Sequence, residues 1–256
     1  RLAGGRVSIE VNHMITEEKI YIGDIPCLKI SCHEDVKGMV IFYHGWTSTK
    51  ELQSLRGHIL AAYGYDVLIP EAVHHGERGI IDYEDNPDAY LKFWQTIFQN
   101  LREAPQVIAY ARTWHDDVPL TVMGHSMGGF TALGVLTWNR DVQAAVAMNG
   151  SGWWDESDRR FRAGLPLKPM DFLPDLRQEI SRWDPYTHTE NLEGRSVLAL
   201  TAGNDDTVHP MAQSYYMDKL YTLAGVRSRF ITYPGLKHFV TTNMMGDAVD
   251  WLSDVL

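Results

Sequence analysis

A serine, an acid and a histidine in this 256-residue sequence stand where they could cooperate in attack on a carbonyl. The serine lies in Gly124-His125-Ser126-Met127-Gly128, a G-x-S-x-G pattern that follows the apolar run Leu120 to Met123. A serine that attacks a carbonyl has to be thrust out of a sheet on a sharp, strained turn. Glycines two before and two after it remove the Cβ atoms such a turn would crowd. A helix that starts there aims its N-terminal N–H groups and dipole at the reacting centre. By itself the match also fits a glycine-rich strand-to-helix turn with an incidental serine.

The rest of the chain decides between them. Serine is a weak nucleophile at neutral pH and needs a base, normally a histidine held by a carboxylate. Gly203-Asn-Asp-Asp-Thr-Val-His-Pro210 offers the acid and Tyr233-Pro-Gly-Leu-Lys-His238 the histidine, so the order is Ser, Asp, His.

The elements that position these groups are legible from periodicity. Lys19 to Ile22 and Ile25 to Ile30 predict two strands joined by Gly23-Asp24, an antiparallel hairpin. Gly38 to Tyr43 is a continuous apolar run, the pattern of a strand covered on both faces, and ends in His44-Gly45-Trp46. Ser48-Thr-Lys-Glu51 has the form of a capping box, with Leu52, Leu55, Ile59 and Ala62 at helical spacing and Gly64 as the terminating glycine. Asp66 to Pro70 is the next strand, and Glu71 to Asn86 is a polar loop. A long helix carries Trp94, Phe98, Leu101 and Ile108 on one face, and Pro105 is expected to kink or split it.

After the elbow strand come a helix to Trp138 and a strand over Val142 to Met148. Residues 151–190 break the rhythm, with Trp153, Trp154, Trp183 and four prolines, and predict a partly helical cap inserted into the domain. Strand, helix, strand, helix then resume at Ser196 to Thr201, Met211 to Leu223, Arg229 to Tyr233 and Val240 to Leu256. Such alternation implies an α/β fold: a mostly parallel sheet with helices on both faces. Active sites in such sheets gather beyond the carboxyl ends of the strands, where Ser126, the acid loop and His238 all fall.

The first thirteen residues read either as an expression leader before Met14 or as an extra strand, since Arg6 to Asn12 alternates apolar and polar. Residues 14–256 form the expected single domain. The net charge of −10 argues against nucleic acid and anionic membrane as partners. No apolar segment approaches the ~20 residues of a membrane span. The two cysteines, Cys27 and Cys32, would point to opposite faces of one strand, which disfavours a disulfide and suits a reducing cytoplasm.

With this order of groups the chain resembles the α/β-hydrolase superfamily from about Lys19 onward. In Phe42-Tyr-His-Gly-Trp-Thr-Ser48, Gly64-Tyr-Asp-Val-Leu-Ile-Pro70 and Gly203-Asn-Asp-Asp-Thr-Val208 it is similar to small bacterial carboxylesterases of the YitV-like group, related to dienelactone hydrolases and the prolyl oligopeptidase catalytic domain. Glu71 stands where many relatives have aspartate. The resemblance implies Ser126 as nucleophile, His238 as base and Asp206 as orienting acid, three residues after Gly203. Asp205 is the rival and Asp155 a remoter option. It further implies an oxyanion hole from the backbone N–H groups of Trp46 and Met127.

The function so implied is a serine carboxylesterase that hydrolyses small soluble esters through an acyl-enzyme and needs no cofactor. Trp46, Trp153 and Trp154 are candidate walls of the substrate pocket, although the cap tryptophans could equally form its own core. His74 and His75 lack the spacing of a metal motif, so no metal is expected; His125 is expected to pack locally and His209 to start a helix. Thioesterase, C–C hydrolase and peptidase chemistry would use the same groups, and a hydrolase-fold protein that only binds ligands remains a different class. A monomer or homodimer is expected.

Overall fold

The structure, a computed structural model, describes residues 15–32, 35–81, 88–164 and 171–256. The alternatives for residues 1–13 and a start at Met14 lie outside the described residues, as does the loop's end at Asn86. The expected hairpin is β1 (Thr16–Ile22) and β2 (Ile25–Ser31), antiparallel, with Gly23 at φ +60° in its turn. β2 also pairs antiparallel with β4 (Tyr65–Pro70). From there every pairing is parallel: β4 with β3 (Gly38–Tyr43), then β5 (Leu120–His125), β6 (Ala144–Met148), β7 (Ser196–Ala202) and β8 (Arg227–Tyr233). The strand order is β1-β2-β4-β3-β5-β6-β7-β8.

The apolar runs are continuous because both faces of the sheet are covered. Met39, Ile41 and Tyr43 of β3 join one core with α2 (Ala89–Trp114), α3 (Met127–Trp138) and α6 (Pro210–Tyr221). Val40 and Phe42 join a second core with α1 (Ser54–Ala62) and α7 (Thr242–Val255). The two cysteines divide in the same way: Cys27 packs in the first core and Cys32 in the second, and neither is in a disulfide.

Two local expectations fail. Ser48 does not cap a helix; its hydroxyl accepts from Gln53 Nε2 at 2.7 Å, and a 3-10 turn (Glu51–Gln53) precedes α1. Leu52 and Leu55 face solvent, while Gly57, Leu60 and Ala61 face the sheet. The three-residue turn rotates the helix out of the register that sequence spacing implied.

Pro105 does not split α2, which runs through it for 26 residues. Leu101, Ala104, Val107 and Ile108 are buried on both sides of it. That burial outweighs the ~3 kcal/mol a mid-helix proline costs.

Between β6 and β7 the chain forms α4 (Trp154–Gly164), α5 (Leu173–Trp183) and a 3-10 stretch (Pro185–Leu192). Asp184 ties them together, accepting from the backbone N–H groups of Trp154, Asp155 and Tyr186. Among the described residues no helix is long and apolar enough to cross a membrane.

Candidate active site

β5 ends and α3 begins across Ser126, whose φ of +56° and ψ of −121° are strained for a residue with a side chain. The elbow glycines permit this. A Cβ on Gly124 would lie 2.2 Å from the carbonyl oxygen of Gly128, and one on Gly128 would lie 1.9 Å from that of Tyr43. No side chain fits at either position.

The turn aims the Ser126 hydroxyl at His238. Ser126 Oγ lies 2.9 Å from His238 Nε2, and His238 Nδ1 lies 2.6 Å from Asp205 Oδ2. Asp205 is buried, and its other oxygen accepts from the N–H groups of Thr207 and Val208 at 2.9 and 2.8 Å. The hydrogen bonds therefore run in series from serine to imidazole to a carboxylate clamped by backbone donors.

This corrects the expected register. Asp206 does not reach His238; it is exposed and pairs with Lys237 Nζ at 3.2 Å. Thr207 and Val208 fold back onto Asp205 Oδ1, and that turn directs Asp205 inward and leaves Asp206 on the outer side. The carboxylate that meets His238 stands two residues after Gly203, not three. Asp155, the remoter option, accepts from Ser181 instead. His209 begins α6 as expected, its Nδ1 accepting from the Met211 N–H.

The loop after β3 lies against the elbow. A Cβ on Gly45 would sit 3.4 Å from that of Ser126, so the loop that carries Trp46 meets the serine, which Met127 follows directly in sequence. The Trp46 ring packs edge-on against His75 and Phe93, at 5.0 and 5.7 Å between centroids.

Behind this loop lies a polar network that sequence spacing did not reveal. Lys50 and Glu71 are both buried, with Lys50 Nζ 2.9 Å from Glu71 Oε2 and Glu71 Oε1 3.2 Å from His44 Nε2. Lys50 Nζ also reaches Glu77 at 2.6 Å. Burial pushes Glu71 toward protonation, but its bonds with His44 and Lys50 prevail and hold the carboxyl below its usual range. Thr47 N–H donates to His75 Nε2 at 3.2 Å, and His75 Nδ1 lies 2.8 Å from the Val73 carbonyl. His75 is thus the Nδ1–H tautomer, and burial lowers its pKa to about 4. Glu71, directly after β4, thereby ties His44 and Lys50 of the segment after β3 to the end of that strand. The only signal in the sequence was a glutamate directly after a strand.

His125 packs locally, its ring 5.0 Å from that of His238, and burial, then the neighbouring His238, lowers its pKa to about 3. His125 therefore stays neutral beside His238.

Of the candidate pocket walls, Trp153 is half-buried, stacks on Tyr186 at 4.2 Å, and borders a groove of about 800 Å³ with Tyr215, Arg160 and Lys219. Trp154 is no pocket wall. It is fully buried among Trp94 and Phe98, its Nε1 donates to the Ser151 carbonyl, and its ring presses on Gly134. Removing so large a core ring costs about 3–5 kcal/mol. Trp183 packs on Trp138 of α3. Among the described residues no three His, Cys, Asp or Glu side chains are grouped to hold a metal ion.

Comparison with known proteins agrees with this architecture. Residues 57–256 match the prolyl oligopeptidase family. The chain is 30% identical to esterase YjfP of Escherichia coli over 92% of its own length and 97% of that protein's. It is 27% identical to the YitV protein of Bacillus subtilis over 95% and 100% of the two chains. The crystal structure of TT1662 from Thermus thermophilus superposes with a TM-score of 0.77 at 20% identity, covering 94% of this chain and 98% of that one. The chain belongs to the prolyl oligopeptidase family, on an α/β-hydrolase fold.

Proposed function

We propose that this protein is a serine carboxylesterase that hydrolyses small soluble carboxylic esters through an acyl-enzyme. One observation carries the reading: the unbroken series Ser126 Oγ, His238 Nε2, His238 Nδ1 and Asp205 Oδ2, at 2.9 and 2.6 Å. In this mechanism His238 Nε2 takes the proton as Ser126 Oγ bonds to the ester carbonyl carbon. Asp205 holds the proton on Nδ1 and stabilises the imidazolium that results. The oxyanion is met by the N–H groups of Met127, at the start of α3, and Trp46, on the loop against Ser126. His238 then returns its proton to the departing alcohol and activates the water that releases the acid.

Support for ester over amide substrates comes from the relative whose name is esterase YjfP. Support for small substrates comes from the region between β6 and β7, where the described residues form two helices of 11 residues each and Trp154 is committed to the core. The test is turnover of p-nitrophenyl acetate and butyrate by the wild-type protein and by Ser126→Ala. The variant is expected to fold and to lose at least about a thousandfold in kcat. A folded Ser126→Ala protein with about a tenth of wild-type turnover would remove Ser126 from the reaction.

A further inference from the structure

The end of β6 touches the turn that carries Ser126 and the loops that carry Asp205 and His238. The carbonyl of Met148, its last residue, accepts the Ser126 N–H at 2.9 Å. Asn149 follows, 1% exposed and at φ +49°, a left-handed conformation that asparagine tolerates better than other residues with a side chain. Its N–H donates to the Leu200 carbonyl at 2.9 Å. Its side-chain Oδ1 accepts the Ala202 N–H at 2.8 Å, at the mouth of the loop that carries Asp205. Its Nδ2 donates to the carbonyl of Phe239, the residue after His238, at 2.9 Å.

We propose that Asn149 is the positioning residue that locks the His238 loop to the strand supporting the nucleophile, an inference that rests on the esterase reading of this site. The requirement is specific to an amide. One side demands an acceptor for a backbone N–H and the other a donor for a backbone carbonyl, and those fixed partners assign the oxygen and nitrogen of the side chain. A carboxylate satisfies only the first and an aliphatic side chain neither. The acid and base loops are also joined to each other, by Gly203 N–H to the Tyr233 carbonyl and Asn204 N–H to the Leu236 carbonyl. Asn149 is what references that pair to β6 and, through the Met148 carbonyl, to Ser126. Misplacement of a reacting group by about 1 Å is enough to cost about a hundredfold in rate.

The test compares wild type, Asn149→Asp and Asn149→Gly. Asparagine to aspartate keeps the acceptor toward Ala202 and removes only the donor toward Phe239; glycine keeps the backbone conformation and removes both. Folding is checked by circular dichroism and thermal melting, and assays are run well below the melting transition. Both variants are expected to lose about tenfold to a hundredfold in kcat on p-nitrophenyl acetate while KM changes by less than about threefold. Labelling of Ser126 by a fluorophosphonate should slow by the same factor, and the downfield proton resonance of the His238–Asp205 hydrogen bond should broaden or vanish. A merely structural residue would lower the melting temperature and leave both readouts unchanged. Either folded variant with wild-type labelling rate and resonance overturns the proposal, and so does failure of both variants to fold, which would make Asn149 a stability residue. An inactive, unlabelled wild-type protein would instead defeat the esterase reading itself.

Discussion

Asp205 Oδ2 lies 2.6 Å from His238 Nδ1, while the neighbouring Asp206 points away to Lys237. A single residue of register separates a buried carboxylate held by two backbone donors from an exposed one. Asp205→Asn is expected to reduce kcat by about 10⁴, because the amide favours the wrong tautomer of His238. Asp206→Asn should stay within about twofold, the behaviour of an exposed ion pair. Steady-state kinetics on both folded variants decide; the reverse ranking would return the role to Asp206.

Trp46 separates backbone from side chain. Trp46→Ala keeps the N–H and changes only the surface packed on His75 and Phe93. Trp46→Pro removes the donor, and the preceding Gly45 tolerates the restriction proline imposes. The proline variant should lose about a hundredfold to a thousandfold in kcat relative to the alanine variant. Equal kcat values in two folded proteins would mean that the second oxyanion donor lies elsewhere.

Lys50 is expected to matter for stability well beyond an ordinary lysine. Lys50→Met strips buried Glu71 of its ammonium partner and leaves it only His44 and the backbone N–H of residue 50, a loss of about 3–5 kcal/mol. The double variant Lys50→Met, Glu71→Leu removes the orphaned charge and should recover much of that loss. Urea denaturation measures both. A single variant within about 1 kcal/mol of wild type would show the pair to be as weak as a surface one.

His75 makes folding acid-sensitive. Its folded pKa is about 4, below the 6.5 of a free imidazole, so between these values the unfolded chain binds the extra proton. Stability from this group is complete above pH 6.5 and is lost as pH falls toward 4. Protonation also destroys the acceptor for the Thr47 N–H. His75→Gln, which keeps a carbonyl acceptor, should show a shallower fall in melting temperature across this range. Identical slopes in the two proteins would assign the acid sensitivity to other groups.

What the sequence determined by itself is the part carried by local pattern. Continuous apolar runs mark strands covered on both faces, and the glycines around Ser126 mark a turn where no Cβ fits. Chain order places the acid and histidine loops after β7 and β8. Only the tertiary structure decided the rest. Asp205 and Asp206 are identical in chemistry and adjacent in sequence, and the folding of Thr207 and Val208 onto one of them chooses which faces His238. Lys50 looks like a surface lysine until Glu71, 21 residues on, is brought beside it. Leu52 and Leu55 look like a core face until a 3-10 turn rotates them into solvent. In each case side-chain type sets what a residue can do. Partners distant in sequence decide what it does, because only they determine which donors, charges and surfaces are left to satisfy it.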